Sequence, residues 1–391
     1  MTRVSKLRVG MIGYSFMGAA HSQAWRTVGH FFDIPVAVEL AVLCGREEAA
    51  LTRAATRMGW ADTSADWRAV VGREDVDIID ICTPNSSHAE ISIAALEAGK
   101  HVLCEKPLAT TLVQAEAMAD AASAARRQGT RSMVGFNYRR VPAIALLCKI
   151  IGEGRLGRLR HVRAVYLQDW ASDPEVPLSW RMEASQAGSG ALGDLGSHLI
   201  DLVAYLTGSR LQSVSASTST FITQRRVAGS DALGDVTVDD AAVFLGHLSD
   251  GVTATFETSR VALGRKNSLR LEINGSLASA AFDLERLNEL QLYEGNGSQE
   301  RGFTTILVTE PDHPYLSAWW PPGHGLGYEH TFTHQAYEFL SAIVQERDPE
   351  PSFADGRYVQ DALDAVARSA ESSAGWVDLP AELIAARSEV S

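Results

Sequence analysis

Lys106 is the first residue whose type and setting invite chemistry. It lies in Val102-Leu103-Cys104-Glu105-Lys106-Pro107-Leu108. The apolar run reads as a strand end that delivers Glu105, Lys106 and Pro107 into a loop. Pro107 fixes its own φ and keeps the residue before it out of the helical region, so the backbone aims Lys106. A lysine just past a strand's carboxyl end stands where open α/β sheets bind ligands. A cation there can donate to a substrate oxygen and stabilise negative charge as it develops. The second stretch runs from Gly188-Ser189-Gly190 through Asp194-Leu195-Gly196-Ser197-His198. Flexible glycines precede a helix, and Asp194 and His198, four apart, share a face near its start. Histidine is the side chain best poised for proton transfer near neutral pH. A carboxylate beside it orients the ring, raises its basicity or binds a substrate hydroxyl. The plainer alternative is a capping aspartate and a core histidine. No metal is expected, because two candidate ligands without a third at fixed spacing do not make a site.

A glycine loop supplies the third signal. Gly13-Tyr14-Ser15-Phe16-Met17-Gly18 follows the apolar strand at 7–12 and opens a helix at 19–28. This is the strand–loop–helix order of a dinucleotide site, in which helix N-terminal amides bind the pyrophosphate. Gly13, Ser15, Phe16, Met17 and Gly18 are the candidate contacts. Ser15 replaces the second glycine of the fingerprint, and its hydroxyl can itself reach a phosphate. The strand at 37–44 ends in Gly45-Arg46, where the fingerprint expects an acid for the adenosine ribose. A glycine leaves room and an arginine offers a forked cation, which favours a 2′-phosphate and hence NADP over NAD. A solvated arginine opening the next helix is the alternative. Thr83, Pro84 and Asn85 end the strand at 76–82 on the same side. His88 follows them, as a ligand contact or a cap-region residue.

These residues need elements to hold them. Strand and helix alternate with short loops as far as the strand at 132–136, which gives a parallel, doubly wound sheet. After Asn137-Tyr138-Arg139-Arg140 and a helix at 141–153 the pattern changes. Strands are expected at 159–170, 213–223, 241–248, 253–258, 269–273, 278–283 and 289–293. Ser249-Asp250-Gly251 and Asn274-Gly275-Ser276 are hairpin signals, so this sheet is mostly antiparallel. A helix at 194–206 covers one face, and the other face suits a homo-oligomer contact, a dimer or tetramer. The expected domains are 1–137 and 138–391. The irregular stretch 301–330 carries Tyr315, Trp319, Trp320, His324 and Tyr328. It reads either as a lid near a cleft or as a cover over the sheet's edge. Helices at 331–344 and 355–372 close the chain.

Composition sets the limits. The 391 residues are 46% hydrophobic with a formal net charge of −13. That excess of acid argues against nucleic acid or an anionic membrane as partner. No apolar stretch is long enough to span a bilayer, and residues 1–6 carry no apolar leader. Cys44, Cys82, Cys104 and Cys148 are scattered, the first three in apolar runs, as befits reduced thiols. A cytoplasmic location is expected.

Taken together, the glycine loop, Thr83-Pro84-Asn85 with His88, Glu105-Lys106-Pro107, Asn137-Tyr138-Arg139, and Asp194 with His198 resemble the Gfo/Idh/MocA oxidoreductases, over essentially the whole length. Within that family, Tyr166-Leu167-Gln168-Asp169-Trp170 and Pro177-Leu178-Ser179-Trp180-Arg181 look most like the sugar dehydrogenases, which use NAD. The resemblance implies an α/β chain, a Rossmann domain followed by an α+β domain with a large open sheet, and a nicotinamide held between them. It implies Lys106, Asp194 and His198 as catalytic group, and adds Glu105, Lys106 and Asn137 to the cofactor contacts. Tyr138, Gln168, Asp169, Trp170 and Arg181 are the expected substrate contacts, beside Lys106, Asp194 and His198. The expected reaction moves a hydride between a nicotinamide, NAD or NADP, and a secondary alcohol of a cyclic sugar, anhydrosugar or polyol. Two alternatives share the fold: a dinucleotide-binding regulatory protein, and a glycoside hydrolase that uses bound NAD transiently.

Overall fold

The computed structural model describes residues 5–295 and 301–381. The expectation about an apolar leader rests partly on residues 1–4, which lie outside them. In chain order the first elements are β1 (Ser5–Ile12), α1 (Phe16–Phe31), β2 (Val36–Cys44), α2 (Glu48–Met58), β3 (Asp62–Ser64) and α3 (Trp67–Val71). Next come β4 (Ile78–Ile81), α4 (His88–Glu97), β5 (His101–Cys104), α5 (Leu112–Arg126) and β6 (Ser132–Val134). The six strands form one parallel sheet in the order β3-β2-β1-β4-β5-β6. Strand order reverses between β1 and β4, and such a switch point opens a crevice at the strands' carboxyl ends. Ile12 lies opposite Ile81, and Ile81 opposite Cys104. The glycine loop, the Thr83 loop and the Glu105-Lys106 loop therefore leave the sheet side by side. β4 is buried at every position, as a parallel strand covered on both faces must be. Its one polar residue, Asp80, is fully buried.

The second set begins with α6 (Pro142–Gly152), β7 (Leu159–Leu167), α7 (Ala184–Ala187), α8 (Ser197–Thr207) and β8 (Leu211–Ser219). It continues with β9 (Gln224–Arg226), β10 (Leu233–Asp235), β11 (Ala241–Leu248), β12 (Thr253–Ser259), β13 (Ser268–Gly275), β14 (Ala278–Asp283), β15 (Glu289–Glu294) and β16 (Thr304–Leu307). After α9 (Tyr328–Val344) and α10 (Phe353–Glu371), β17 (Val377–Asp378) adds the last strand. The large sheet has nine strands, ordered β16-β15-β14-β13-β7-β12-β11-β8-β17. Every neighbouring pair is antiparallel except β7 with β12. Along β11 the pattern alternates: Ala242, Phe244 and Leu248 are buried while Val243 and Leu245 face outward. Phe244 stacks on Phe256 of β12 at 4.4 Å, and α8 packs on this inner side against β7. β9 and β10 pair separately beside a small core of Ala171, Met182, Val236 and Val238.

The chain divides into two compact units. One runs up to Arg140 and adds Gly327–Arg357; the other holds Val141–Leu326 and the residues from Tyr358 onward. Residues 327–357 thus pack with the first unit, although the sequence placed everything from 138 onward in one domain. The physical reason is α9, whose Phe332 lies 5.3 Å from the His21 ring and whose Tyr337 stacks on Phe32 at 4.3 Å. Part of the 301–330 stretch serves the sheet edge: β16 pairs with β15, and the Asn288 side chain bonds both the N–H and the carbonyl of Leu326. Among the described residues no helix is long and apolar enough to cross a membrane.

Candidate active site

In the first unit the glycine loop is shaped by close approach. Gly13 has φ +104°, and a Cβ there would stand 2.4 Å from the Cys82 carbonyl oxygen. A Cβ at Gly18 would stand 2.3 Å from the Gly13 oxygen. Only glycine lets α1 begin this near the strand ends. Ser15 is the exposed N-cap residue, and its side chain makes no cap bond. Met17 is half-buried, and Phe16 is 66% exposed. A helix N-terminus at a switch point suits the pyrophosphate of a dinucleotide. Gly45 has a different reason from the one its sequence suggests. A Cβ there would lie 2.0 Å from Cε1 of Tyr14, so the ring of Tyr14 takes the space. Arg46 beside it is exposed.

Past β4, the Thr83 hydroxyl accepts from Ser87 at 2.7 Å, and Asn85 is buried in the short turn after Pro84. His88 has no exposed surface. Its Nδ1 lies 3.0 Å from the Pro107 carbonyl oxygen and its Nε2 3.1 Å from that of Thr83. Burial lowers its pKa, although those carbonyls favour the charged ring. The ring thus ties the loop after β4 to the loop after β5. Lys106 is half-buried. The carboxylate of Glu105 before it is buried and accepts its backbone N–H at 3.3 Å. Asn137 donates to the Thr331 hydroxyl at 2.8 Å, and Tyr138 meets the Tyr328 ring edge-on at 6.3 Å.

Behind this loop lies a cluster that the sequence did not announce. His21 of α1 donates from Nε2 to Glu105 Oε1 at 2.9 Å, and its Nδ1 lies 3.0 Å from both oxygens of Asp80. Asp80 also accepts from Trp25 Nε1 at 2.6 Å. Burial opposes a charge on His21, but the carboxylate of Asp80 and its hydrogen bond outweigh it and hold the pKa well above the ordinary value. Ligand atoms of His21, Asp80 and Cys82 converge within 4.8 Å, and the bonds of His21 to Asp80 and Glu105 account for that convergence. The one available signal was a polar residue inside the apolar run Ile78-Ile79-Asp80-Ile81.

In the second unit, Asp194 lies in a π-helical turn, Leu192–Gly196, that leads straight into α8. Such turns cluster at functional sites. The turn is held from outside: Asp239 accepts the backbone N–H groups of Gly190 and Leu192, each at 2.7 Å. Burial raises the Asp239 pKa, against the pull of those two bonds. Asp194 is half-buried and His198 buried. The Tyr166 ring stands edge-on to His198 at 6.0 Å. The Tyr166 hydroxyl donates to Asn267 Oδ1 at 2.7 Å, and Gln168 Nε2 donates to the same oxygen at 2.8 Å. His198, Tyr166, Gln168 and Asn267 therefore form one chain of contacts. Asp169 is engaged elsewhere: it accepts from Lys266 at 2.6 Å and from the Gly264 N–H at 3.1 Å, and the lysine holds its carboxyl below the usual range. Trp170 packs on the small core, with the Arg260 guanidinium 5.3 Å over its ring. Arg181 stacks on Trp180 at 4.4 Å. Lys106 belongs to the first unit, and Asp194 and His198 to the second.

A doubly wound sheet with a glycine loop at its switch point, followed by an open sheet that bears an Asp–His turn, is the build of a dinucleotide-binding oxidoreductase. Known proteins narrow that class. The family model described as "Oxidoreductase family, NAD-binding Rossmann fold" matches residues 7–136, and the GFO/IDH/MocA C-terminal domain matches residues 144–281. A levoglucosan dehydrogenase from Pseudarthrobacter phenanthrenivorans is 42% identical, over 96% of this chain and 99% of its own. A solved levoglucosan dehydrogenase in complex with NADH and levoglucosan has a TM-score of 0.92 at 42% identity, covering 96% of this chain and all of its own. An oxidoreductase domain protein from Kribbella flavida has a TM-score of 0.94 at 55% identity, with the same coverage. The chain belongs to the GFO/IDH/MocA family of oxidoreductases.

Proposed function

We propose that this chain oxidises a secondary hydroxyl of a cyclic sugar, an anhydrosugar or a polyol. The observation that carries the reading is the near full-length likeness to a levoglucosan dehydrogenase, in a chain that has Lys106, Asp194 and His198. A nicotinamide, when bound, supplies the hydride acceptor. Gly13, Ser15, Phe16, Met17 and Gly18 would hold its pyrophosphate side, and Gly45, Arg46, Thr83, Pro84, Asn85, His88, Glu105, Lys106 and Asn137 complete the proposed set. His88 and Glu105 act in it by shaping the loops, since both are buried in hydrogen bonds. His198 takes the hydroxyl proton as general base. Lys106 donates to the same oxygen as charge develops there. Asp194 orients the ring of His198 or holds a neighbouring hydroxyl. Tyr138, Gln168, Asp169, Trp170 and Arg181 are the proposed sugar contacts, because aromatic faces cover sugar rings while amide, carboxylate and guanidinium groups bond hydroxyls.

NAD is the cofactor the relatives' complexes support. Arg46, exposed past β2, is the residue through which NADP would also be accepted. We place the protein in the cytoplasm, in keeping with the buried thiols of Cys44, Cys82 and Cys104, and burial lifts the pKa of the Cys44 thiol to about 11. The outer face of the nine-stranded sheet is the proposed homo-oligomer contact. The test of function is a panel of levoglucosan, inositols and aldoses with NAD or NADP, followed by absorbance of the reduced nicotinamide. Reduction with at least one sugar or polyol is expected. No reduction with any of them, together with release of free sugar from a glycoside without net reduction, would overturn the reading.

A further inference from the structure

We propose that His21 is a positioning residue for Lys106, acting through the carboxylate of Glu105. The inference rests on the reading of Lys106 as the residue that donates to the substrate oxygen. Glu105 uses its two oxygens in two directions: Oε1 accepts from His21 Nε2 at 2.9 Å, and Oε2 accepts the backbone N–H of Lys106 at 3.3 Å. The imidazole is thereby coupled to the backbone of Lys106 through one rigid group. Its other nitrogen is fixed by both oxygens of Asp80, which Trp25 holds in turn. A ring that donates from both nitrogens to carboxylates carries both protons, and the Asp80 carboxylate keeps it so against the opposing effect of burial.

The far side of Lys106 is fixed as well. The carbonyl of Pro107 lies 3.0 Å from Nδ1 of the fully buried His88. Lys106 therefore stands between two neighbours, each held by a buried histidine from a helix that starts at the end of another strand. Space for the carboxylate is reserved, since a Cβ at Gly135 would come within 2.7 Å of Glu105 Oε1. Three ionisable groups sealed in a core are not the economical way to stabilise a fold. Apolar residues of similar volume usually do as well or better. What the cluster provides is a fixed direction for the loop, and a misplacement of about 1 Å at a reacting group can cost roughly 100-fold in rate.

The test compares His21→Gln, Lys106→Ala and the double variant. Turnover is measured with levoglucosan and NAD, or with whichever sugar the panel identifies. Alone, His21→Gln should lower kcat by about 10- to 100-fold with KM for the sugar nearly unchanged. In the Lys106→Ala background it should lower kcat no further. Additive losses would mean that His21 acts independently of Lys106 and would overturn the proposal. A second readout needs no substrate: pulse acetylation of the free protein, with Lys106 and Lys149 quantified by mass spectrometry. His21→Gln should change the rate at Lys106 and leave exposed Lys149 as it was; unchanged labelling of Lys106 overturns the proposal. Should His21→Gln fail to fold, Glu105→Gln carries the same two measurements, because its amide keeps the shape and severs the ionic tie. If Lys106→Ala keeps full turnover, the reading of Lys106 fails, and the acetylation result still judges the positioning link.

Discussion

Lys106 and His198 are expected to fail in different ways when replaced. Lys106→Ala removes a donor needed only as charge develops, so folding and cofactor affinity should hold while turnover falls. The loss of one such donor costs about 3–4 kcal/mol, or roughly 100- to 1000-fold. Near-normal turnover in the purified variant would end the assignment. His198→Ala should remove the pH-dependent limb of the oxidation rate as well as most of the rate. An unchanged pH profile would return His198 to the core of α8. Acid stability turns on another histidine. Burial, with help from the Arg131 charge, lowers the pKa of His101 to about 4, and its Nδ1 accepts the Arg131 N–H at 2.9 Å. A depressed folded value means stability fully present above the unfolded histidine range and lost as pH falls through that range towards about 4. At full effect the loss is about 3 kcal/mol. Denaturant midpoints across that window should show it, and His101→Gln should flatten the slope by about one proton. An equal slope in the variant would exclude His101 as the source.

The turn that carries Asp194 is where element and chemistry meet. Asp239 clamps it by accepting two N–H groups, and a Cβ at Gly190 would lie 1.7 Å from the Asp239 carbonyl oxygen. Asp239→Asn turns one acceptor into a donor facing a donor, which should cost about 1–3 kcal/mol. The expected result is a lower melting temperature together with a lower kcat/KM; a drop in stability alone would show that the clamp does not govern the site. The glycine run and the helix after it were legible from sequence. The π turn was not, because five residues of 4.4-fold and 3.6-fold winding carry the same pattern of apolar positions. Asp239 was illegible for a different reason: it lies 49 residues from Gly190 and meets it only through tertiary structure. His21 and Asp80, 59 residues apart, are the same case. Long alternating strands were the opposite case, and β11 and β14 fall at the expected 241–248 and 278–283. β3, β16 and β17, with three, four and two residues, are too short for alternation to show.

At the scale of the whole molecule, the sheet's outer face is the proposed contact between copies. On β11, Val243 is 55% and Leu245 46% exposed, and Trp376, stacked on His247 at 4.7 Å, is 51% exposed. Val243 lies opposite Glu257, and Leu245 opposite Thr255. Arg163 of β7 is bonded to Glu272 and Asn274 of β13. Apolar side chains thus share this face with an ion pair and a carboxylate, a mixture that suits a specific contact between copies better than random exposure. A closed two-fold dimer would bring the same patch of each copy together. Val243→Asp combined with Leu245→Asp places two charges in such a contact while leaving the buried face of β11 untouched. The purified chain should sediment as a dimer or tetramer, and the double variant at a lower mass with unchanged circular dichroism. A monomeric parent chain, or a variant of unchanged mass, would show that this face is not the interface.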